Sequence, residues 1–90
     1  MNQKTYKNSQ QIFHLIVRVS KKDSAFLYFQ LESHEGLCFY STIKESIGTT
    51  HRDLEISGAI EYRKEILHLI HQLQEQFPIL TITDEIILDH

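Results

Sequence analysis

Ninety residues, 41% of them hydrophobic, are enough for one domain with a single core and too few for two. With a net charge of −3 no global attraction to nucleic acid or anionic membrane is expected, and a lone cysteine, Cys38, excludes an intramolecular disulfide. No apolar run approaches membrane-spanning length and residues 1–11 lack the apolar segment of a signal peptide, so the chain reads as soluble, cytoplasmic and without a membrane partner.

Residues 1–11 are polar and are expected to form a disordered tail, leaving 12–90 as the single domain. The first strand is expected over 12–19, where Phe13, Leu15, Val17 and Val19 alternate with Ile12, His14, Ile16 and Arg18, so the odd residues face inward. Ser20-Lys21-Lys22-Asp23 then reads as a capping box opening a helix that is apolar almost all round: Ala25, Phe26, Leu27, Tyr28, Phe29 and Leu31. Gly36 can supply the left-handed conformation that ends it.

Strand two is expected over 37–44, again with odd residues inward. Residues 46–50, with Gly48, form the turn into strand three at 52–57. A second helix, capped at Ser57 or Gly58, is expected over 59–77, because Tyr62, Ile66, Leu69, Leu73 and Phe77 recur at helical spacing before Pro78. Ile79 opens a fourth, β-branched strand over 79–83, which residues 86–88 prolong past the polar Asp84-Glu85 pair.

The order βαββαβ with right-handed crossovers predicts an α+β protein. The form is a ferredoxin-like sandwich, a four-stranded antiparallel sheet ordered 4-1-3-2 with two helices on its odd face. The expected core is Phe13, Leu15, Val17, Phe39, Leu54, Ile56, Ile66, Leu69 and Leu73. Ile12, Ile16, Tyr40 and Ile79 are expected on the open face of the sheet, where apolar residues imply a partner.

In size and topology the chain resembles an ACT domain, the small regulatory module that binds amino acids and dimerises. Residues 25–37, Ala-Phe-Leu-Tyr-Phe-Gln-Leu-Glu-Ser-His-Glu-Gly-Leu, are similar to a small bacterial family known as domain of unknown function 4911, and the likeness extends from Phe13 to Phe77. That family brings no activity with it. The ACT resemblance implies a regulatory, ligand-binding homodimer. ACT domains typically carry a glycine in the loop from strand one to helix one; here the loop is Ser20-Lys21-Lys22-Asp23-Ser24.

Three groups of residues invite a chemical reading. Ser20, Lys21, Lys22 and Ser24 surround the N-terminus of helix one, where free N–H groups, the helix dipole and two cations can hold a small anionic ligand; the ACT resemblance implies a dimer in which Gly48 and Thr49 of the mate would close such a site. Glu65 and His68, beside His71, Gln72 and Glu75, reproduce a metal-chelating Glu-x-x-His spacing, but they lie opposite the apolar stripe and read as a solvated polar face with no metal. Cys38, Tyr40, His14, Arg18 and Glu55 are expected together on the open face, with no oxyanion or Gly-rich motif beside them, so no enzyme and no cofactor are expected. An RNA-recognition reading fails for want of an aromatic in residues 52–57, and an acylphosphatase reading for want of a phosphate loop. What remains is a non-catalytic, dimeric ACT-like regulatory or ligand-binding module, or alternatively a protein-interaction domain docking a partner through its open sheet face or edge strand.

Overall fold

Strand β1 (Gln10–Ser20) runs through the middle of the sheet because both its neighbours pair with it along most of its length. The computed structural model describes residues 10–34 and 36–89; the expected tail, apart from Gln10 and Gln11, lies outside them. Gln10 and Gln11 belong instead to β1, paired with Asp89 and Leu88. Helix α1 (Lys21–Glu32) follows, then β2 (Phe39–Thr42), β3 (His51–Ala59), helix α2 (Arg63–Leu73) and β4 (Leu80–Asp89). The sheet is antiparallel with order β2-β3-β1-β4, the expected order read from its other edge.

The alternation in β1 works as expected. Phe13, Leu15, Val17 and Val19 are buried together with Leu54 and Ile56 of β3, Leu27 and Leu31 of α1, and Ile66, Leu69, Ile70 and Leu73 of α2. Burying each such side chain is worth about 1.5–3 kcal/mol, so this core face of the sheet carries most of the stability. The opposite, outer face bears Ile12, His14, Ile16 and Arg18.

Strand β2 is out of phase with its expected reading. Tyr40 pairs with Ile56, which is in the core, so Tyr40 packs against the core and Phe39 turns outward at 80% exposed. Phe39 is therefore not a core residue, and Cys38 and Tyr40 are not on the outer face; Cys38 also packs against the core. The apolar alternation of Leu37, Phe39 and Ile43 misleads because only Phe39 of the three lies in the strand. The phase is set by α1: Tyr28 stacks obliquely on Tyr40, its hydroxyl bonds Thr42, and the Tyr40 hydroxyl donates to Glu32.

Other boundaries move for identifiable reasons. Ser20 is the N-cap of α1 but bonds no backbone N–H with its side chain, so the capping box is not formed. Gly58 caps nothing; it lies within β3 opposite Phe13, where an added Cβ would come 2.6 Å from the Leu37 carbonyl oxygen and 2.9 Å from the Phe13 ring. A 3₁₀ turn, Ile60–Tyr62, separates β3 from α2, and α2 ends at Leu73 in a tight turn rather than reaching Phe77. Ile79 is buried in the core ahead of β4, not on the outer face. Asp84 and Glu85 do not interrupt β4, whose irregularity falls earlier: Ile16 pairs with Thr83 and Val17 with Thr81, leaving Ile82 as the extra residue of a bulge. Among the described residues no helix is long and apolar enough to cross a membrane.

Candidate functional site

Three of the four residues expected to hold an anion come together. Ser20, Lys21 and Lys22 line an open groove of about 550 Å³, and its fourth lining residue is Thr50, from the turn before β3 of the same chain. The turn reaches the helix because β1 ends beside the start of β3, Ser20 pairing with His51. Ser24 does not line the groove; it is buried, and its hydroxyl donates to the Lys21 carbonyl at 2.8 Å.

The positive end of α1 is partly used internally. The Lys21 N–H donates to the Thr50 carbonyl at 2.9 Å, satisfying one of the helix's free donors. The Asp23 carboxylate sits in the first turn, accepts the Ser20 hydroxyl at 2.7 Å and counters the helix dipole. Two exposed lysines remain as the attraction for an anion there.

A tighter constellation lies on the outer face. His14 donates from Nε2 to Glu55 at 2.6 Å and from Nδ1 to Glu85 at 2.8 Å, spanning β3, β1 and β4. A carboxylate at each nitrogen favours the protonated ring. Its pKa is raised above the usual histidine value, first by the hydrogen bond to Glu55, with Glu85 adding to it and burial opposing. Farther along the same face, Arg18 donates to both oxygens of Asp53, at 2.8 and 3.0 Å, and holds that carboxyl below its ordinary range. His14 and Glu55 are thus brought together as expected, whereas Arg18, on the same face, bonds Asp53 instead, and Cys38 and Tyr40 lie on the other face.

Cys38 instead lines a second groove, of about 310 Å³, with Leu31, Glu32, Gly36, Phe39 and Tyr40. Burial pushes its thiol pKa up, which keeps the sulfur protonated and a poor nucleophile. Glu65, His68, His71 and Gln72 are exposed on α2 and Glu75 in the turn after it, and no group of three metal-ligating side chains occurs among the described residues.

Residue reading along the chain missed two partners in β4. Glu85 completes the His14 clamp, and Asp84 accepts two hydrogen bonds from the Arg63 guanidinium of α2, at 3.0 and 2.9 Å. The signal was alternation: successive acids in a strand point to opposite faces, one toward α2 and one toward His14. β4 is also the sheet's long edge, and Leu80, Ile82, Ile86, Ile87 and Leu88 along it are exposed. Comparison of the chain with protein-family models, with curated proteins and with solved structures found no match.

Proposed function

We propose that this chain is a non-catalytic protein-interaction module of ferredoxin-like, ACT-like form that acts as a homodimer through the edge of β4. The observation that carries this reading is β4 itself. It is a ten-residue edge strand whose outer backbone groups pair with no other strand among the described residues, and large apolar side chains stand exposed along it. Such an edge is a template for another strand, and a lone chain with this much apolar edge is prone to associate. Both helices contribute to one core with the odd face of β1, as the sandwich form requires.

The test is sedimentation at micromolar concentration, with an expected mass near twice 10.6 kDa. A single-chain mass at every concentration rejects the dimeric reading.

A second reading rests on the groove at the entrance to α1. Its lining by Ser20, Lys21, Lys22 and Thr50 favours a small carboxylate or phosphate ligand of a regulatory module, with Asp23 and the Thr50 carbonyl as the opposing features. A thermal-shift screen of amino acids, nucleotides and common anions tests it through the linkage of binding to stability. A hit that binds equally well to the Lys21→Ala/Lys22→Ala variant excludes this groove.

A further inference from the structure

We propose that His14 is a proton-dependent latch on the end of β4. Protonated, it ties Glu55 of β3 and Glu85 of β4 to one ring across β1; on losing its proton it keeps Glu55 and lets Glu85 go. Glu85 stands opposite His14 in the β1–β4 ladder, and Glu55 lies diagonal to it, opposite Ile16. The His14 side chain is 17% exposed, whereas each carboxylate is about half exposed and has room to swing away.

The device follows from the donors that an imidazole carries. The charged ring has two N–H groups and the neutral ring one, its other nitrogen presenting a lone pair, while an ionised carboxylate only accepts. The bonds from Nε2 to Glu55 at 2.6 Å and from Nδ1 to Glu85 at 2.8 Å therefore coexist only while the ring is charged. Once the proton leaves, one carboxylate faces a lone pair and is expelled. The Glu55 bond is the shorter and holds the proton more strongly, so the neutral ring keeps its hydrogen on Nε2 and Glu85 is released.

No other charge takes over. Among the described residues His14 is the sole ion-pair partner of either glutamate. The charged groups farther along the outer face are Arg18 on β1 and Asp53 and His51 on β3. Arg18 bonds both oxygens of Asp53, and His51 stands 3.9 Å from that same carboxylate. Thr83 and Ile87 flank Glu85 on β4, and Phe39 and Ser41 of β2, aligned with Ser57 and Glu55, carry no charge. The helices pack on the opposite face.

The release is confined to one end of the strand. Asp84, one residue earlier, keeps both hydrogen bonds of Arg63, whose guanidinium stays charged throughout. Beyond it Ile86, Ile87 and Leu88 are exposed and, among the described residues, pair with β1 alone. Residues 85–88 thus loosen while 80–84 stay pinned. Because the folded pKa lies above 6.5, the latch is closed below 6.5 and opens as pH rises through the folded value.

The experiment is NMR of the wild type, Glu85→Gln and His14→Gln from about pH 5.5 to 9, spanning the histidine range. Ring-nitrogen chemical shifts of His14 should show the neutral form protonated on Nε2. Hydrogen exchange, corrected for its intrinsic pH dependence, should show the opening of residues 85–88 rising about fivefold with that titration, and that of 80–83 unmoved. Glu85→Gln should abolish the rise, because its amide accepts from the charged ring and donates to the neutral one. His14→Gln, with no ring to titrate, should abolish it as well. A neutral ring protonated on Nδ1, the absence of a rise, a rise shared equally by 80–83, or one that survives in either variant overturns the proposal.

Discussion

β2 offers four residues of edge and ties them down, whereas β4 offers ten and leaves apolar side chains along them. At the β2 edge, Tyr28 and Tyr40 stack, Tyr28 bonds Thr42, and Tyr40 bonds Glu32, so α1 is laced to the strand by polar groups. Only Phe39 projects from it as a large exposed residue. A short edge strand closed by side-chain ties is one way a protein blunts an edge. β4 has the ingredients of another defence, a bulge and two central acids, but both acids are bound inward by Arg63 and His14. The two edges thus differ in what their polar groups do: those of β2 tie the strand to α1, and those of β4 are engaged by α2 and by β1.

The largest expected effect belongs to neither edge, and it sets the scale for both. Leu69 of α2 is buried in the core that supports the whole sheet. Leu69→Ala should cost about 2–5 kcal/mol in urea unfolding, through lost burial plus the cavity left behind. A cost near zero would mean that α2 does not anchor the sheet.

Substituting one exposed residue at each edge tests the contrast directly. Ile86→Lys on β4 and Phe39→Lys on β2 both alter exposed positions, so each should change the stability of the single chain by within about 0.5 kcal/mol. Their effects on association should differ. Ile86→Lys should weaken the dimer by at least about tenfold, roughly 1.4 kcal/mol, and Phe39→Lys should leave it unchanged in sedimentation across a dilution series. Equal effects, or loss of the dimer only with Phe39→Lys, would reverse the assignment of the two edges.

These differences also mark where the sequence was legible. β1, β3 and α2 bury long periodic stripes, and every expected core residue on them is buried. A long stripe has one phase, and that phase dominates the packing. β2 is too short for this: with four residues, one aromatic decides its phase, and α1 claimed Tyr40 through Tyr28 and Glu32. β4 was legible in composition and nearly in extent, whereas the partners of Asp84 and Glu85 were not. Their partners, Arg63 and His14, stand 21 and 71 residues away in the chain, beyond any local pattern. The groove at α1 was legible at Ser20, Lys21 and Lys22, whereas Thr50 required the pairing of β1 with β3.

The pH dependence of stability should expose the His14 clamp on the β4 side. The folded pKa of His14 is held above its ordinary 6.5, first by Glu55 and then by Glu85, so the folded state binds the proton more tightly than the unfolded chain. The resulting stability is fully present below pH 6.5 and is lost as pH rises through the folded value. Asp53 runs the other way: its carboxyl is held below 3.8 by Arg18, so its contribution is present above 3.8 and lost as pH falls through the depressed value. Unfolding free energy followed from pH 3 to 9 should therefore fall on the alkaline side in the wild type. That fall should be largely absent in His14→Gln. An unchanged alkaline fall in the variant would remove His14 as its cause.

The smallest expected effect lies at the β2 edge. Tyr40→Phe removes the hydroxyl that donates to Glu32 but keeps the ring against Tyr28, so it separates the polar tie from the packing. Both partners reach solvent, and water replaces much of what the hydrogen bond supplied. The loss should be about 0.5–1.5 kcal/mol in urea unfolding, toward the lower end for so exposed a pair. Glu32→Gln offers the complementary change, retaining an acceptor while removing the charge. The hydroxyl's pKa is raised mainly by its hydrogen bond to Glu32, so spectrophotometric titration of Tyr40 should move back toward the ordinary tyrosine value in that variant. A stable Tyr40→Phe protein with no measurable loss, together with an unmoved titration in Glu32→Gln, would show that ring packing alone holds the β2 edge against α1. The contrast between the edges would then rest on length and apolar exposure rather than on polar ties.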